Sequence, residues 1–326
     1  MNVTCKLFLD QSRIGYERSY YNLNFWAGAF WSFKSPDVSV IFSGAMTTEN
    51  NFSRRRLLTL LGVAPMMFGA TGEKVPVGLE LYSVRNELTK DLTGTLRSVG
   101  EMGYDCVEFY APYYEWTPDY AKQVRKELDG LKLRCYSTHN DHKAFSGDGI
   151  KKAIELNKIL GAKYIVMASP GEAKTLDDWK RVAELLNSGN QKMHGDGLHA
   201  GYHNHVNEWK SVNGQRPMDV LAENTDESIQ LQLDVGHCVA GGGDPVNWID
   251  SHPGRTRSLH IKDWSPEEGF EVLVGEGVIP WKQVFAAAES KGKVEYYLIE
   301  QEGSRFPAME TAERSLIAYR GLRDKA

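Results

Sequence analysis

From Val77 onward, short apolar runs alternate with longer stretches in which apolar residues recur every three or four positions. The short runs have the length of strands and the long ones the period of helices. Val77–Tyr82 predicts a strand, and Leu88–Met102, with Leu88, Leu92, Leu96 and Val99 on one face, predicts a helix. Strands are then expected at Cys106–Tyr110, Leu133–Thr138, Tyr164–Ala168, Leu198–His203, Leu231–Asp234, Ser258–Ile261 and Tyr296–Ile299. Helical patterns follow them at Pro118–Leu128, Gly149–Leu160, Leu176–Leu186, Met218–Glu223, Pro245–Ile249, Trp281–Ser290 and Ala308–Tyr319. Gly103, Gly130 and Gly161 fall just past predicted helices, where a left-handed cap is expected.

Eight strand–helix units in one run, with no linker rich in Pro, Gly or Ser, predict a single α/β domain over 74–326, a (β/α)8 TIM barrel. The span suits a fold that takes roughly 250 residues. A doubly wound sheet is the alternative, but no GxGxxG follows the first strand. Gly241-Gly242-Gly243 sits in a loop after the sixth strand and reads as a turn.

The chain ahead of the barrel has a different character. Ser53-Arg54-Arg55-Arg56 opens an apolar run, Leu57 to Phe68, closed by Gly69-Ala70. Basic residues, a short apolar core and a small-residue exit make an export signal, and the paired arginines resemble a bacterial twin-arginine signal. The run is short against the ~20 residues of a membrane span. Residues 46–73 are therefore expected to direct export to the periplasm or beyond, with no stable membrane insertion once removed. Met46 is a natural start for such a signal. The aromatic stretch 1–45 then reads as an artefact of the assigned start or a disordered extension.

Composition narrows the partners. The 326 residues carry a formal net charge of −5, which does not suggest a nucleic-acid binder. The four cysteines, Cys5, Cys106, Cys135 and Cys238, show neither a CxxC nor a zinc-finger spacing, so buried free thiols are expected.

In a barrel of this kind the active site is built at the C-terminal strand ends. Those ends carry Glu80, Tyr82 and Arg85; Glu108 and Tyr110; His139-Asn140-Asp141-His142; His203-Asn204-His205 with Glu208; Asp234 with His237; His260, Lys262 and Asp263; and Glu300 and Glu302. Carboxylates and imidazoles without thiolates suit a hard or borderline divalent ion, Mn2+ first, with Mg2+, Co2+ or Zn2+ as alternatives. Asp234, His260 and Glu300 lead the ligand candidates, because each ends an apolar strand where a lone charge is costly. Tyr82, Tyr110, Trp116 and Trp264 are available to stack on a sugar ring or to pack the rim.

At these positions the chain resembles the xylose-isomerase-like barrel family of sugar isomerases, sugar epimerases and inosose dehydratases. The matching stretches are Gly78-Leu79-Glu80-Leu81-Tyr82-Ser83-Val84-Arg85, Glu101-Met102-Gly103-Tyr104, Tyr202-His203-Asn204-His205 with Glu208, Leu259-His260-Ile261-Lys262-Asp263, Val274-Gly275-Glu276-Gly277 and Ile299-Glu300-Gln301. The likeness covers Val75 to Leu322. In the ketose 3-epimerase branch the metal is held by Glu, Asp, His and Glu after the fifth to eighth strands. Asp234, His260 and Glu300 match the last three, His237 matches a substrate-contacting histidine, and Glu208 resembles a substrate-contacting glutamate. The first family glutamate falls at His203, so His203, His205 and Glu208 remain open as the fourth ligand, His203 first.

The resemblance implies an isomerase or epimerase of a keto-sugar or related small carbohydrate, working by proton abstraction alpha to a carbonyl. Glu300 or a nearby His would take the proton, Lys262 would stabilise the enediolate, and His237, His139 or Glu208 would return a proton. Losing one metal-bound glutamate shifts weight toward a lyase or dehydratase. The rivals are a metal-dependent phosphodiester hydrolase, as in AP endonucleases of this barrel type, a secreted sugar-binding protein, and a dinucleotide-dependent oxidoreductase. The acidic balance opposes the first, the full rim of ligands the second and the missing fingerprint the third.

Overall fold

The computed structural model describes residues 74–324 and the backbone of two short segments nearer the N-terminus, and the chain divides into two compact units, Met1–Ala70 and Thr71–Ala326. In the first unit Ser32–Lys34 and Ser39–Ile41 pair antiparallel, with Phe33 opposite Val40. This regular pairing was not legible in the aromatic stretch. The expected signal at 46–73 lies outside the described residues.

The second unit is a closed barrel of eight parallel strands. They are β1 (Val77–Glu80), β2 (Cys106–Phe109), β3 (Arg134–Asp141), β4 (Tyr164–Ser169), β5 (His199–His203), β6 (Gln230–Asp234), β7 (Ser258–Ile261) and β8 (Tyr296–Ile299). Each pairs with the next, and β8 closes on β1 with Leu298 opposite Gly78. The strands are buried on both faces, as parallel strands covered by helices must be. Gly78 serves this closure directly, since a Cβ there would lie 2.5 Å from Cys106 Sγ and 2.7 Å from Cys106 O.

Helices return the chain from each strand top to the next strand bottom. They include α1 (Arg85–Lys90), α2 (Leu92–Met102), α3 (Pro118–Leu131), α4 (Gly149–Leu160), α5 (Leu176–Met193), α6 (Pro217–Asn224), α7 (Val235–Ala240), α8 (Pro245–Ser251), α9 (Trp281–Ala287) and α10 (Ala308–Arg323). Their apolar faces bury Leu96 and Val99, Val124 and Leu128, Leu156 and Leu160, and Leu186 against the strands. Each such side chain contributes about 1.5–3 kcal/mol of burial. Among the described residues no helix is long and apolar enough to cross a membrane.

The differences from the expected elements have local causes. The helix expected from Leu88 is two helices, because Asp91 leaves helical space at φ −151°, ψ 90° and its carboxylate accepts from Gly94 N at 2.9 Å. That cap begins α2 afresh. Gly103 and Gly161 are left-handed caps as expected, at φ 89° and 78°, but Gly130 lies inside α3 and Lys132 takes the cap at φ 59°. β3 runs on to Asp141, so His139 and Asn140 belong to the strand and not to the loop after it.

Candidate metal centre

The alternation of strand side chains decides what enters the barrel mouth. Along β6, Gln230, Gln232 and Asp234 alternate with Leu231 and Leu233. The leucines join the main apolar core, while Gln232 meets polar groups from β2, β3, β5 and β7. The same inward position is held by Glu108 on β2, His139 on β3, His203 on β5, His260 on β7 and the residue just past β8, Glu300.

His203, Asp234, His260 and Glu300 each offer a ligand atom, and the four atoms lie within 4.8 Å of one another, all on buried residues. His260 lies between two carboxylates, with Nδ1 2.9 Å from Glu300 Oε2 and Nε2 2.8 Å from Glu108 Oε2. Lys262 Nζ sits 3.1 Å from Glu300 Oε2, 3.5 Å from Asp234 Oδ2 and 2.7 Å from Glu302 Oε1. Asp234 also caps α7, its Oδ1 accepting from His237 N at 2.8 Å. Its Oδ2 is buried with no hydrogen-bond partner. His237 Nδ1, 3.3 Å away, is likewise unpartnered.

Burial and neighbouring charge oppose each other across this cluster. Burial works against the charge of Lys262, yet Glu300, Asp234 and Glu302 outweigh it and hold the ammonium protonated far above its usual range. Burial would raise Glu300, but Lys262 and His260 keep it well below the usual carboxylate range. His260 is pushed up to about 9, hydrogen bonds to Glu108 and Glu300 overcoming its burial. His203 is held well below its ordinary value by burial, with His260 and His139 adding to the effect. His237 is lowered mainly by burial, so its ring is a neutral imidazole at pH 7. Glu80 is raised well above the ordinary range by burial and then by Glu300 and Glu108.

These residues fit a divalent cation. Two imidazoles and two carboxylates without thiolate form a hard-to-borderline donor set. Asp234 Oδ2 supplies the specific sign, since it accepts no hydrogen bond and meets Lys262 Nζ and His237 Nδ1 at 3.5 and 3.3 Å, beyond a close contact, which a cation would improve on.

Most of the sequence candidates meet at this point. Asp234, His260, Glu300, His203, His237 and Lys262 converge as expected. His139 reaches the same cluster and forms a candidate ligand group with His203 and His260, its Nε2 lying 2.8 Å from Gln232 Oε1 and 3.0 Å from Glu108 Oε2. Glu208 stands apart from the four-residue cluster. Its carboxylate turns back to Tyr202 Oη at 2.7 Å and to His205 N at 3.1 Å, forming the cap of a short turn outside the four-residue cluster. His205 stays near the mouth, its ring close to those of His203 and His237. Tyr82 and Tyr110 form an edge-to-face pair at the rim, 5.2 Å between centroids, whereas Trp116 packs against Phe109, Tyr113 and Tyr120.

Three participants were not among the sequence candidates for a role. Glu108 was noted only as the polar end of its strand, and it accepts from Ser137, Gln232, His139 and His260. Gln232 was legible in the alternation Gln230-Leu231-Gln232-Leu233-Asp234, which marks one inward face. Phe270, on the loop after β7, stands 4.9 Å from the His237 ring and 5.8 Å from Lys262 Nζ, and nothing in its sequence surroundings pointed to the site.

Comparison with known proteins bears on this geometry. A family model described as the xylose isomerase-like TIM barrel matches residues 96–321. The chain belongs to this family. It is similar to the inosose dehydratase of Lacticaseibacillus casei, 25% identical over an alignment of 285 residues that covers 74% of this chain and 89% of that one. The inosose dehydratase of Geobacillus thermodenitrificans (strain NG80-2) is 26% identical over an alignment of 176 residues that covers 44% of this chain, and the match spans only 58% of that relative's length. A solved sugar phosphate isomerase/epimerase from Parabacteroides distasonis ATCC 8503 matches with a TM-score of 0.64 at 26% identity, over 76% of this chain and 94% of that one. The family, the barrel and an enzyme with isomerase or lyase relatives are thus what the sequence led us to expect.

Proposed function

We propose that the chain is a divalent-metal-dependent enzyme that abstracts the proton alpha to the carbonyl of a small keto-sugar or keto-cyclitol. The unpartnered Oδ2 of Asp234 inside the cluster of His203, His260 and Glu300 carries this reading. A divalent ion held there, Mn2+ first among Mg2+, Co2+ and Zn2+, would supply a Lewis acid for the carbonyl oxygen.

The protein's own groups account for the proton movements. Glu300 is ionised and is fixed by His260 and Lys262, so it is placed as the base. Lys262 keeps a positive charge beside the developing enediolate. His237, neutral and with Nδ1 unpartnered, is a second group able to accept or return a proton. Phe270, on the loop after β7, packs its ring against that of His237.

Two outcomes share that first step. Return of the proton to carbon gives isomerisation or epimerisation, and loss of a beta oxygen gives dehydration or another elimination. The second is favoured by one observation, that the four-residue cluster holds His203 and a single glutamate, Glu300. The relatives named inosose dehydratase support the same outcome. The basic–apolar segment at 54–68 supports action outside the cytoplasm, which the mass of the mature chain recovered from the periplasm tests.

The deciding experiment incubates the purified protein with keto-sugars, keto-glycosides and inososes in D2O. Deuterium alpha to the carbonyl is expected, lost in Asp234→Ala and Glu300→Ala, and a product lacking water identifies the dehydratase. Absence of exchange with every member of the panel rejects the reading.

A further inference from the structure

We propose that Glu108 and Gln232 are positioning residues that set opposite ring tautomers in His260 and His203, so that the two histidines face the same ion through different nitrogens. The inference rests on the reading of His203, Asp234, His260 and Glu300 as ligands, and it concerns the layer directly beneath them.

The orientation of Gln232 follows from its neighbours. Carboxylate oxygens only accept, so the Gln232 atom 3.0 Å from Glu108 Oε1 is the amide nitrogen. The same nitrogen meets Ser258 Oγ at 3.1 Å, and that hydroxyl in turn donates to Gln230 Oε1 at 3.2 Å. The amide oxygen therefore faces His139 Nε2 at 2.8 Å and His203 Nδ1 at 3.1 Å. An amide oxygen accepts and cannot donate. His203 thus carries its proton on Nδ1 and leaves Nε2 bare for a cation.

His260 is held the other way round. Both of its nitrogens face carboxylate oxygens, which only accept, Nε2 2.8 Å from Glu108 Oε2 and Nδ1 2.9 Å from Glu300 Oε2, so without an ion both carry protons. Nδ1, on the side of Glu300, is the nitrogen that would give up its proton to a cation, while Glu108 keeps the proton on Nε2. Glu108 is itself fully committed. Oε1 accepts from Ser137 and Gln232, and Oε2 accepts from His139 and His260. Four donors match the roughly four lone-pair sites of a carboxylate, so Glu108 supports the ligands and is not one of them. A glutamate in place of His203 would have no tautomer to fix, and the need for Gln232 arises with the histidine.

The test uses the full chain carrying isotope-labelled histidine, loaded with Zn2+, with His203→Gln and His260→Gln assigning the resonances. Nitrogen shifts are expected to show His203 protonated on Nδ1 and His260 on Nε2. In Gln232→Met or Glu108→Gln the Zn2+ Kd measured by titration calorimetry should rise about 10–100-fold, as when an outer partner of a ligand is lost. Two histidines protonated on the same nitrogen, or an unchanged Kd in a folded variant, overturn the inference. Should neither variant fold, the wild-type tautomers decide alone. A wild type that takes up no Zn2+ overturns the ligand reading and this one together. A wild type whose Zn2+ is lost in Asp234→Ala, but whose tautomers match each other, overturns this one only.

Discussion

The ammonium of Lys262 lies 3.1 Å from the carboxylate of Glu300, and both side chains are out of solvent. Taken from water, either charge alone would be strongly unfavourable, so each depends on the other. Lys262→Met should leave Glu300 and Asp234 short of a counter-charge and lower stability by about 3–5 kcal/mol, the usual effect of removing one partner of a buried pair. Saturating Mn2+ should restore more stability to the variant than it adds to the wild type, because the ion neutralises the same carboxylates. Calorimetric Tm values with and without Mn2+ check both statements, and equal Mn2+ shifts in the two proteins would contradict the second.

Tyr113 anchors the underside of β3. Its hydroxyl is 2.6 Å from Asn140 Oδ1, 2.9 Å from Asn157 Nδ2 and 3.1 Å from Thr138 Oγ1, all buried. Tyr113→Phe keeps the ring and strands these partners. A loss of about 1–3 kcal/mol in urea unfolding is expected. A midpoint equal to that of the wild type would show that the network relaxes without cost.

Glu208 should behave as a structural group. Glu208→Gln weakens the bond to Tyr202 and the cap at His205, so thermal stability falls by about 1 kcal/mol. Metal analysis of the same variant should give the wild-type content. A drop in bound metal would return Glu208 to the list of ligands.

The thiols of Cys106, Cys135 and Cys238 are free and buried. Burial pushes Cys135 up to about 12, with Glu108 adding to the effect, and raises Cys106 and Cys238 as well. The thiolate is the reactive form, so these three should resist a disulfide reagent at pH 8 in the native protein and react at once in denaturant. Fast native labelling of any of them, located by peptide mapping, would show that the barrel opens locally.

The barrel was legible because parallel strands and their helices leave different periods in the chain, and the eight units recur without interruption. Asp234, His260 and Glu300 were legible for a related reason, each being a charge at the end of an apolar run. What the strand-end rule missed lies one layer down. Glu108 and Gln232 are inward-facing polar residues whose meaning depends on neighbours from other strands, and sequence order does not bring those together. The orientation of Glu208 was not legible, because a glutamate near His203 looks the same in sequence whether it points into the mouth or, as here, back onto Tyr202. The break at Asp91 was missed because the apolar period of Leu88 and Leu92 runs straight through it.

The contact between His260 and Glu108 joins positions 152 residues apart, and Glu300 enters the cluster only when β8 has paired with β1. The ligand set is therefore a property of the finished ring. A nascent chain that has made six or seven strands holds scattered imidazoles and carboxylates and no chelate. On the proposed metal reading, uptake of an ion by these four residues comes after the last strand docks, in whichever compartment that happens. The metal supply of that compartment, and not the affinity order of the ions alone, would then select the ion that the mature protein carries.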